Sequence, residues 1–227
     1  MKILAIETSW KSLSIALNEN SKTITSLYCN HENINSESIF EKIDFLLKNI
    51  QISIKDIDMF AVSSGPGSFT GIRIGITAAK TFSQSLNKPI IAIDSLSILK
   101  SSIPKQKGLK IFVAIDALRN EIYIKNNKEI IIKNINSFIK KIKKLKNKSL
   151  IVGNAAIIYK KFFIKDLGRN FIQLPQILHM PNAKILAFLA YKKKKLATNK
   201  YNDIKPLYIR RSYAEENKKT SKSNTFI

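Results

Sequence analysis

The pentapeptide His31-Glu32-Asn33-Ile34-Asn35 falls one histidine short of a zinc-binding helix. In the motif His-Glu-x-x-His, two imidazoles one turn apart share a helix face and ligate metal together. Asn35 stands where the second imidazole would be, and a neutral amide is a poor zinc ligand, so a metal site is rejected. The other histidine, His179, is remote in sequence, sits close to Pro181 and reads as a loop residue. Asp94 and Asp116 each follow an apolar run and could act as an acid–base pair, but carboxylates in such places more commonly cap helices or turns. Cys29 closes an apolar stretch with no base beside it and reads as a structural thiol. These groups do not assemble a catalytic site.

Phosphate chemistry is the remaining candidate, at Gly65-Pro66-Gly67-Ser68-Phe69-Thr70-Gly71-Ile72-Arg73-Ile74-Gly75. An apolar strand precedes this stretch and an amphipathic helix follows it, so free N–H groups at the helix start could face an anion. Pro66 and Gly67 suit a type II turn, and Ser68 suits the helix cap. The known phosphate fingerprints fail: no Lys-Ser/Thr pair closes a Walker loop, and Thr70 holds the place of the last glycine in G-x-G-x-x-G. A structural turn is the expected reading. Behind it, Gly71, Gly75 and Ala79 recur every fourth residue. Each interior glycine costs about 0.5–1 kcal/mol relative to alanine, so the stripe predicts a close helix–helix contact, within the chain or across a partner.

The elements that would position these residues alternate in type. Strands are expected at Lys2–Ile6, Leu13–Leu17 and Thr23–Cys29, with Glu7-Thr8-Ser9 in the first turn. A helix follows over Ser36–Ile50, then a strand at Met59–Val62, the glycine-striped helix Phe69–Leu86, a strand at Ile90–Ile93 and a short helix capped by Asp94 or Ser95. This order implies α/β architecture with a mixed sheet. Pro104 and Gly108 mark the best boundary, giving a first lobe at residues 1–103 and a smaller second lobe at 104–213. The second lobe should contain strands at Lys110–Ile115, Glu121–Lys125 and Leu150–Val152, and helices at Ile135–Leu145, Ala155–Phe163 and Ala183–Ala197, with Pro206–Ile209 extended. Residues 214–227 are polar and read as a loose tail.

Thirty-nine Lys and Arg against 16 Asp and Glu give a formal charge of +23 over 227 residues, a balance typical of nucleic-acid binders. Arginine, however, occurs only at 73, 119, 169, 210 and 211, while Lys, Ile and Asn abound, as AT-rich codons would produce. Either way, the charge raises nonspecific affinity for polyanions. One cysteine cannot form an internal disulfide, and the first apolar stretch is short and broken by Glu7. A cytoplasmic chain without membrane association is therefore expected.

Ile6-Glu7-Thr8-Ser9, the Gly65–Gly75 stretch, Ile115-Asp116-Ala117 with Glu121-Ile122-Tyr123, and Pro206-Leu207-Tyr208-Ile209-Arg210 together resemble the TsaB (YeaZ) family, from residue 2 to about 213. The resemblance implies an actin-like (ASKHA) fold of two related lobes, with mixed β-sheets flanked by helices. It implies a non-catalytic subunit required for threonylcarbamoylation of the adenosine 3′ of the anticodon, in tRNAs reading codons that begin with A. The partners implied are the catalytic subunit TsaD, the ATPase TsaE, and tRNA through the complex; an isolated chain would be able to form a homodimer. No cofactor is implied for this chain alone; ATP and metal would belong to the partner subunits. Pairing through first-lobe helices places the partner-binding residues at Ile39, Ile43 and Leu46 and at Phe69, Gly71, Ile72, Gly75 and Ala79. Glu7, Thr8, Ser9, Gly65, Pro66, Gly67 and Ser68 would be vestigial phosphate turns. Two departures stand out: Glu7 replaces the usual aspartate, and Leu118 holds a place where arginine is common. Other classes remain open, namely an active actin-like ATPase or kinase and an independent basic RNA-binding module.

Overall fold

Strand β1 (Lys2–Trp10) buries seven consecutive side chains, Ile3 to Ser9, as a central strand covered on both faces does. The computed structural model describes residues 1–30, 36–104, 106–126 and 129–210. β1 forms an antiparallel meander with β2 (Ser12–Glu19) and β3 (Lys22–Cys29). After helix α1 (Ser36–Lys48), strand β4 (Met59–Ser63) lies parallel to β1 on its other side. Helix α2 (Phe69–Ser85) leads to β5 (Ile90–Ile93), parallel to β4. The sheet order is thus β3-β2-β1-β4-β5.

The second half repeats that plan. Helix α3 (Ser95–Ser101) passes to β6 (Leu109–Asp116), β7 (Glu121–Asn126), β8 (Glu129–Asn134), α4 (Ile135–Lys144), β9 (Lys148–Val152), α5 (Asn154–Ile158), α6 (Lys160–Leu167) and β10 (Phe171–Ile172). The order β8-β7-β6-β9-β10 matches the first sheet strand for strand. β8 has no counterpart among the expected elements, and the single helix expected at Ala155–Phe163 is two.

Alternation along the strands divides the core. On one face of the first sheet, Leu4, Ile6, Phe60 and Val62 meet Ile39, Ile43, Leu46, Ile72 and Ala79 from α1 and α2. On the other, Ile3, Ala5, Met59 and Ala61 meet Ala183, Leu186, Ala187 and Ala190 of helix α7 (Ala183–Lys192). Each fully buried Ile or Leu contributes about 1.5–3 kcal/mol. α7 therefore belongs to the first sheet, as does Ile204, and Thr198 bridges to Ile90. A second lobe running to residue 213 is corrected accordingly: the chain returns to its first lobe after β10. The stop of α7 at Lys192, short of the expected Ala197, follows from a lysine run that gives the helix no further apolar face.

α3 joins the two halves. Its Ile98 packs into the first core and its Leu96 and Leu99 into the second. Asp94 caps it by accepting from Ser97 N at 2.8 Å and pairs with Lys125 Nζ of β7 at 2.7 Å.

Candidate functional site

β1 does not turn at Glu7-Thr8-Ser9, as the sequence reading had it. The strand runs on to Trp10, and its register with β2 shifts between Glu7↔Ser14 and Trp10↔Ser12. That irregularity at Thr8 and Ser9 re-aims the chain toward the start of α2. The turn before α2 also differs from type II, since the Gly65–Pro66 peptide is cis and a positive φ of 92° falls at Gly65.

The two segments close on each other. Ser68 N donates to Ser9 O at 2.7 Å, and Thr8 Oγ1 donates to Gly71 O at 2.7 Å. Ser68 caps α2, its Oγ accepting from Gly71 N at 3.2 Å. A Cβ on Gly67 would collide with the Ser9 carbonyl oxygen, one on Gly71 with the Thr8 carbonyl oxygen, and one on Gly75 with Thr8 Oγ1. The stripe therefore admits a strand of the same chain, which corrects the expected helix–helix contact. α1 and α2 do meet, through Phe40 and Phe82, with ring centroids 5.0 Å apart.

Beneath the turns lies a buried hydroxyl chain that sequence reading missed. Ser63 and Ser95 hydroxyls lie 3.0 Å apart, and Ser95 Oγ donates to Ser9 Oγ at 2.9 Å. Ser95 N also donates to Gly65 O at 2.8 Å. The signal was present as small polar residues at the ends of three apolar strands. Glu7 is the carboxyl group here, fully buried, with Oε1 accepting from Ser9 N at 2.6 Å and Oε2 without a hydrogen-bond partner among the described residues. Burial pushes this carboxyl above its ordinary range, against the pull of Ser9.

The other candidates are spread apart in role. Asp94 is a helix cap and ion-pair partner, as above. Asp116 accepts from Tyr159 Oη at 2.8 Å, and its N–H donates to Asn154 Oδ1 at 2.7 Å. Burial, then the bond to Asp116, pushes the Tyr159 phenol up to about 12. Each aspartate is committed to a structural partner. His179 is buried, which lowers its pKa, and its Nδ1 has no partner among the described residues. Cys29 is half-buried on β3. The His31–Asn35 pentapeptide lies outside the described residues. Leu118 is 69% exposed in a left-handed turn.

Of the eight residues expected to bind a partner, Ile39, Ile43, Leu46, Gly71, Ile72, Gly75 and Ala79 are buried within the lobe itself. Their role is corrected to packing, because a helix in this mixed sheet must first cover its own strands. Phe69 alone is exposed, at 54%, with Tyr208 5.4 Å away and the Arg73 guanidinium 5.3 Å from its ring. Tyr208 sits on the closing strap: Leu207 N donates to Ser64 O at 2.9 Å, and Arg210 pairs with Glu121 of the second sheet. Beside it, Arg73, Thr77, Lys80 and Lys205 line an open cleft of about 500 Å³.

Two lobes repeating one strand order, with turns that meet at the start of the long helix of the first lobe, define an actin-like fold. A Pseudomonas aeruginosa structure described as similar to peptidase YeaZ superposes with a TM-score of 0.70 at 19% identity, over 92% of this chain and 99% of that one. The family model for TsaD, tRNA N6-adenosine threonylcarbamoyltransferase, matches residues 33–218. The protein named TsaB, for tRNA threonylcarbamoyladenosine biosynthesis, in Buchnera aphidicola of Schizaphis graminum is 39% identical over 201 residues, covering 82% of this chain and 92% of the relative. Its namesake in Bacillus subtilis is 31% identical over 225 residues, covering 95% and 96%. The chain belongs to the TsaB family. Among the described residues, no helix is long and apolar enough to cross a membrane.

Proposed function

We propose that this chain is a non-catalytic subunit that supports a TsaD-like catalytic subunit during threonylcarbamoylation of tRNA, at the adenosine 3′ of the anticodon, with a TsaE-like ATPase as third component. The observation that carries the non-catalytic reading is the closure of the turns. Ser9 O takes the Ser68 N–H and fills the space above Gly67, the place an anion at the helix start would use. Among the described residues, the Ser63–Ser95–Ser9 chain has no histidine or lysine partner to make a nucleophile of any hydroxyl. ATP and metal then belong to the partner subunits, and tRNA is met in the complex, in the cytoplasm.

The partner surface is the outward side of α1 and α2, where Phe45 is 60% and Phe69 54% exposed. A contiguous exposed apolar patch commonly marks an interaction site; these two aromatic side chains are taken as parts of one, which the isolated chain can also use to pair with itself. The test is reconstitution with TsaD, TsaE and threonylcarbamoyl-adenylate, with modified nucleoside measured by mass spectrometry. Modification should require this chain, while the chain alone neither turns over ATP nor modifies tRNA. Activity of the chain alone that tracks it through purification would overturn the assignment. Phe45→Glu and Phe69→Glu should weaken the heterodimer without lowering the melting temperature. Wild-type affinity in both variants would refute the surface.

A further inference from the structure

A second site lies where the second sheet splits. β6 and β7 are in register only at Ala114↔Ile124, Ile115↔Tyr123 and Asp116↔Ile122. Toward its N-terminal end, β6 continues along β9 from Leu109 to Val113, while β7 beyond Ile124 stays with β8 through Asn126. The inner edges of the two strands part, and no strand is registered between them. Helix α4 roofs the gap and α3 closes one side, enclosing a cavity of about 180 Å³. Along β6 it is lined by Ile111, Phe112 and Val113, short of Asp116 at the strand's end.

The chemistry of the walls is two-sided. Phe112, Val113, Ile124 and Ile131 of the strands, with Phe138 and Ile142 of α4, form an apolar lining. An apolar cavity of roughly 150 Å³ holds a benzene molecule, so this one has room for an apolar group of about six or seven heavy atoms. Four lysines border it, Lys100 from α3, Lys125 from β7, Lys133 from β8 and Lys141 from α4, and no Asp or Glu is among the lining residues. Lys125 is neutralised by Asp94 at 2.7 Å. Lys100, Lys133 and Lys141 have no carboxylate partner among the described residues. Lys133 lies on the face of the sheet that α4 covers, opposite Ile122, and Lys141 is on α4 itself, so two of these cations border the cavity from one side, while Lys100 borders it from the α3 side. An anionic head beside Lys133 and Lys141 is favoured by their charge.

We propose that this fork binds a small carboxylic acid with an apolar tail of about six carbons, the tail under α4 and the carboxylate beside Lys133 and Lys141. A nucleic-acid backbone fits less well, because Phe112 and Phe138 are engaged edge-to-face with each other, centroids 5.8 Å apart, and are not laid open as a stacking platform. The site is separate from the turns and from the outward side of α1 and α2, so it stands independently of the function proposed above.

The experiment is calorimetric titration of the full chain with hexanoate, acetate and hexan-1-ol, with a short oligouridylate as competitor. Hexanoate should bind saturably, one per chain, and about tenfold more tightly than acetate or hexan-1-ol, a difference of roughly 1.4 kcal/mol. The double variant Lys133→Met, Lys141→Met leaves the apolar lining intact; it should lose about tenfold in hexanoate affinity and none for hexan-1-ol. Ile131→Phe, which fills the cavity, should abolish binding of both, with folding checked by melting temperature. The proposal is overturned if hexanoate gives no saturable heat, if acetate or hexan-1-ol binds as well as hexanoate, if the lysine variant binds hexanoate unchanged, or if oligouridylate displaces it.

Discussion

Replacing Gly75 with alanine should destabilise the free chain, and replacing Thr8 with alanine in the same molecule should reverse that loss. In an open helix, glycine to alanine gains about 0.5–1 kcal/mol. Here the new methyl would fall on Thr8 Oγ1, with Thr8 Cβ directly behind it. Overpacking of this kind costs about 1–3 kcal/mol, and so short an approach falls in the upper part of that range, which leaves a net loss of about 1–2 kcal/mol. For a chain of this size that lowers the melting temperature by roughly 2–8 °C. Thr8→Ala alone gives up the 2.7 Å bond to Gly71 O, about 0.5–1.5 kcal/mol, but removes the Oγ1 that the methyl would strike and leaves only Cβ, 3.3 Å away. In that background Gly75→Ala should recover its ordinary helix gain, giving a coupling of about 1.5–3 kcal/mol. Urea unfolding of the four proteins measures the cycle. Effects that add within about 0.5 kcal/mol would refute the reasoning, since β1 would then not be what fills the glycine stripe.

Gly67→Ala should unfold more easily than wild type, because its methyl meets the Ser9 carbonyl oxygen rather than a side chain; a urea midpoint at or above wild type would contradict this. Glu7→Gln should flatten the pH dependence of stability. Burial raises the folded pKa above the 4.5 of the exposed group, so the folded chain holds more protons there. Stability is then lost as pH climbs from about 4.5 through the folded value, and the cost is absent below 4.5. Identical slopes for wild type and Glu7→Gln across that range would refute it. Asp94→Ala removes both the α3 cap and the partner of the half-buried Lys125; a loss of about 1–2 kcal/mol is expected, and Lys125→Met in the same chain should restore part of it. No loss in Asp94→Ala would count against α3 as the joint between the sheets.

How much of this was legible in the sequence depended on how local the determining contact is. Ser68 and Asp94 were readable as caps because each answers an N–H three residues on. The Asn-rich stretch between Lys125 and Glu129, flanked by apolar runs, was a hairpin signal of the same local kind, and β8 could have been found from it. α7 was readable as a helix from its own spacing. Its place against Ala5 and Ala61 was not, since those residues lie more than 120 positions away and only the folded sheet brings them together. Ile39, Ile43 and Leu46 were hidden for another reason, since their strand partners Leu4, Ile6, Phe60 and Val62 lie nearby in sequence. Their spacing specifies an apolar face, but an apolar face looks alike whether it covers the chain's own sheet or a second protein.

The glycine stripe makes that ambiguity concrete. Small residues at a helix start announce that something comes close, and a phosphate, a partner helix or the chain itself would each satisfy them. What separates these cases is the accounting of backbone donors. Ser68 N is taken by Ser9 O, and Gly71 N by Ser68 Oγ. An anion entering there would have to expel the Ser9 carbonyl, give up both bonds and open the Ser63–Ser95–Ser9 chain beneath. The irregular register at Thr8 and Ser9 is what sends β1 into that space. Shortness of side chain at 67, 71 and 75 would have allowed a ligand to approach the backbone; it allows a strand to do so instead, and turns a place with the outline of a phosphate cradle into part of the core.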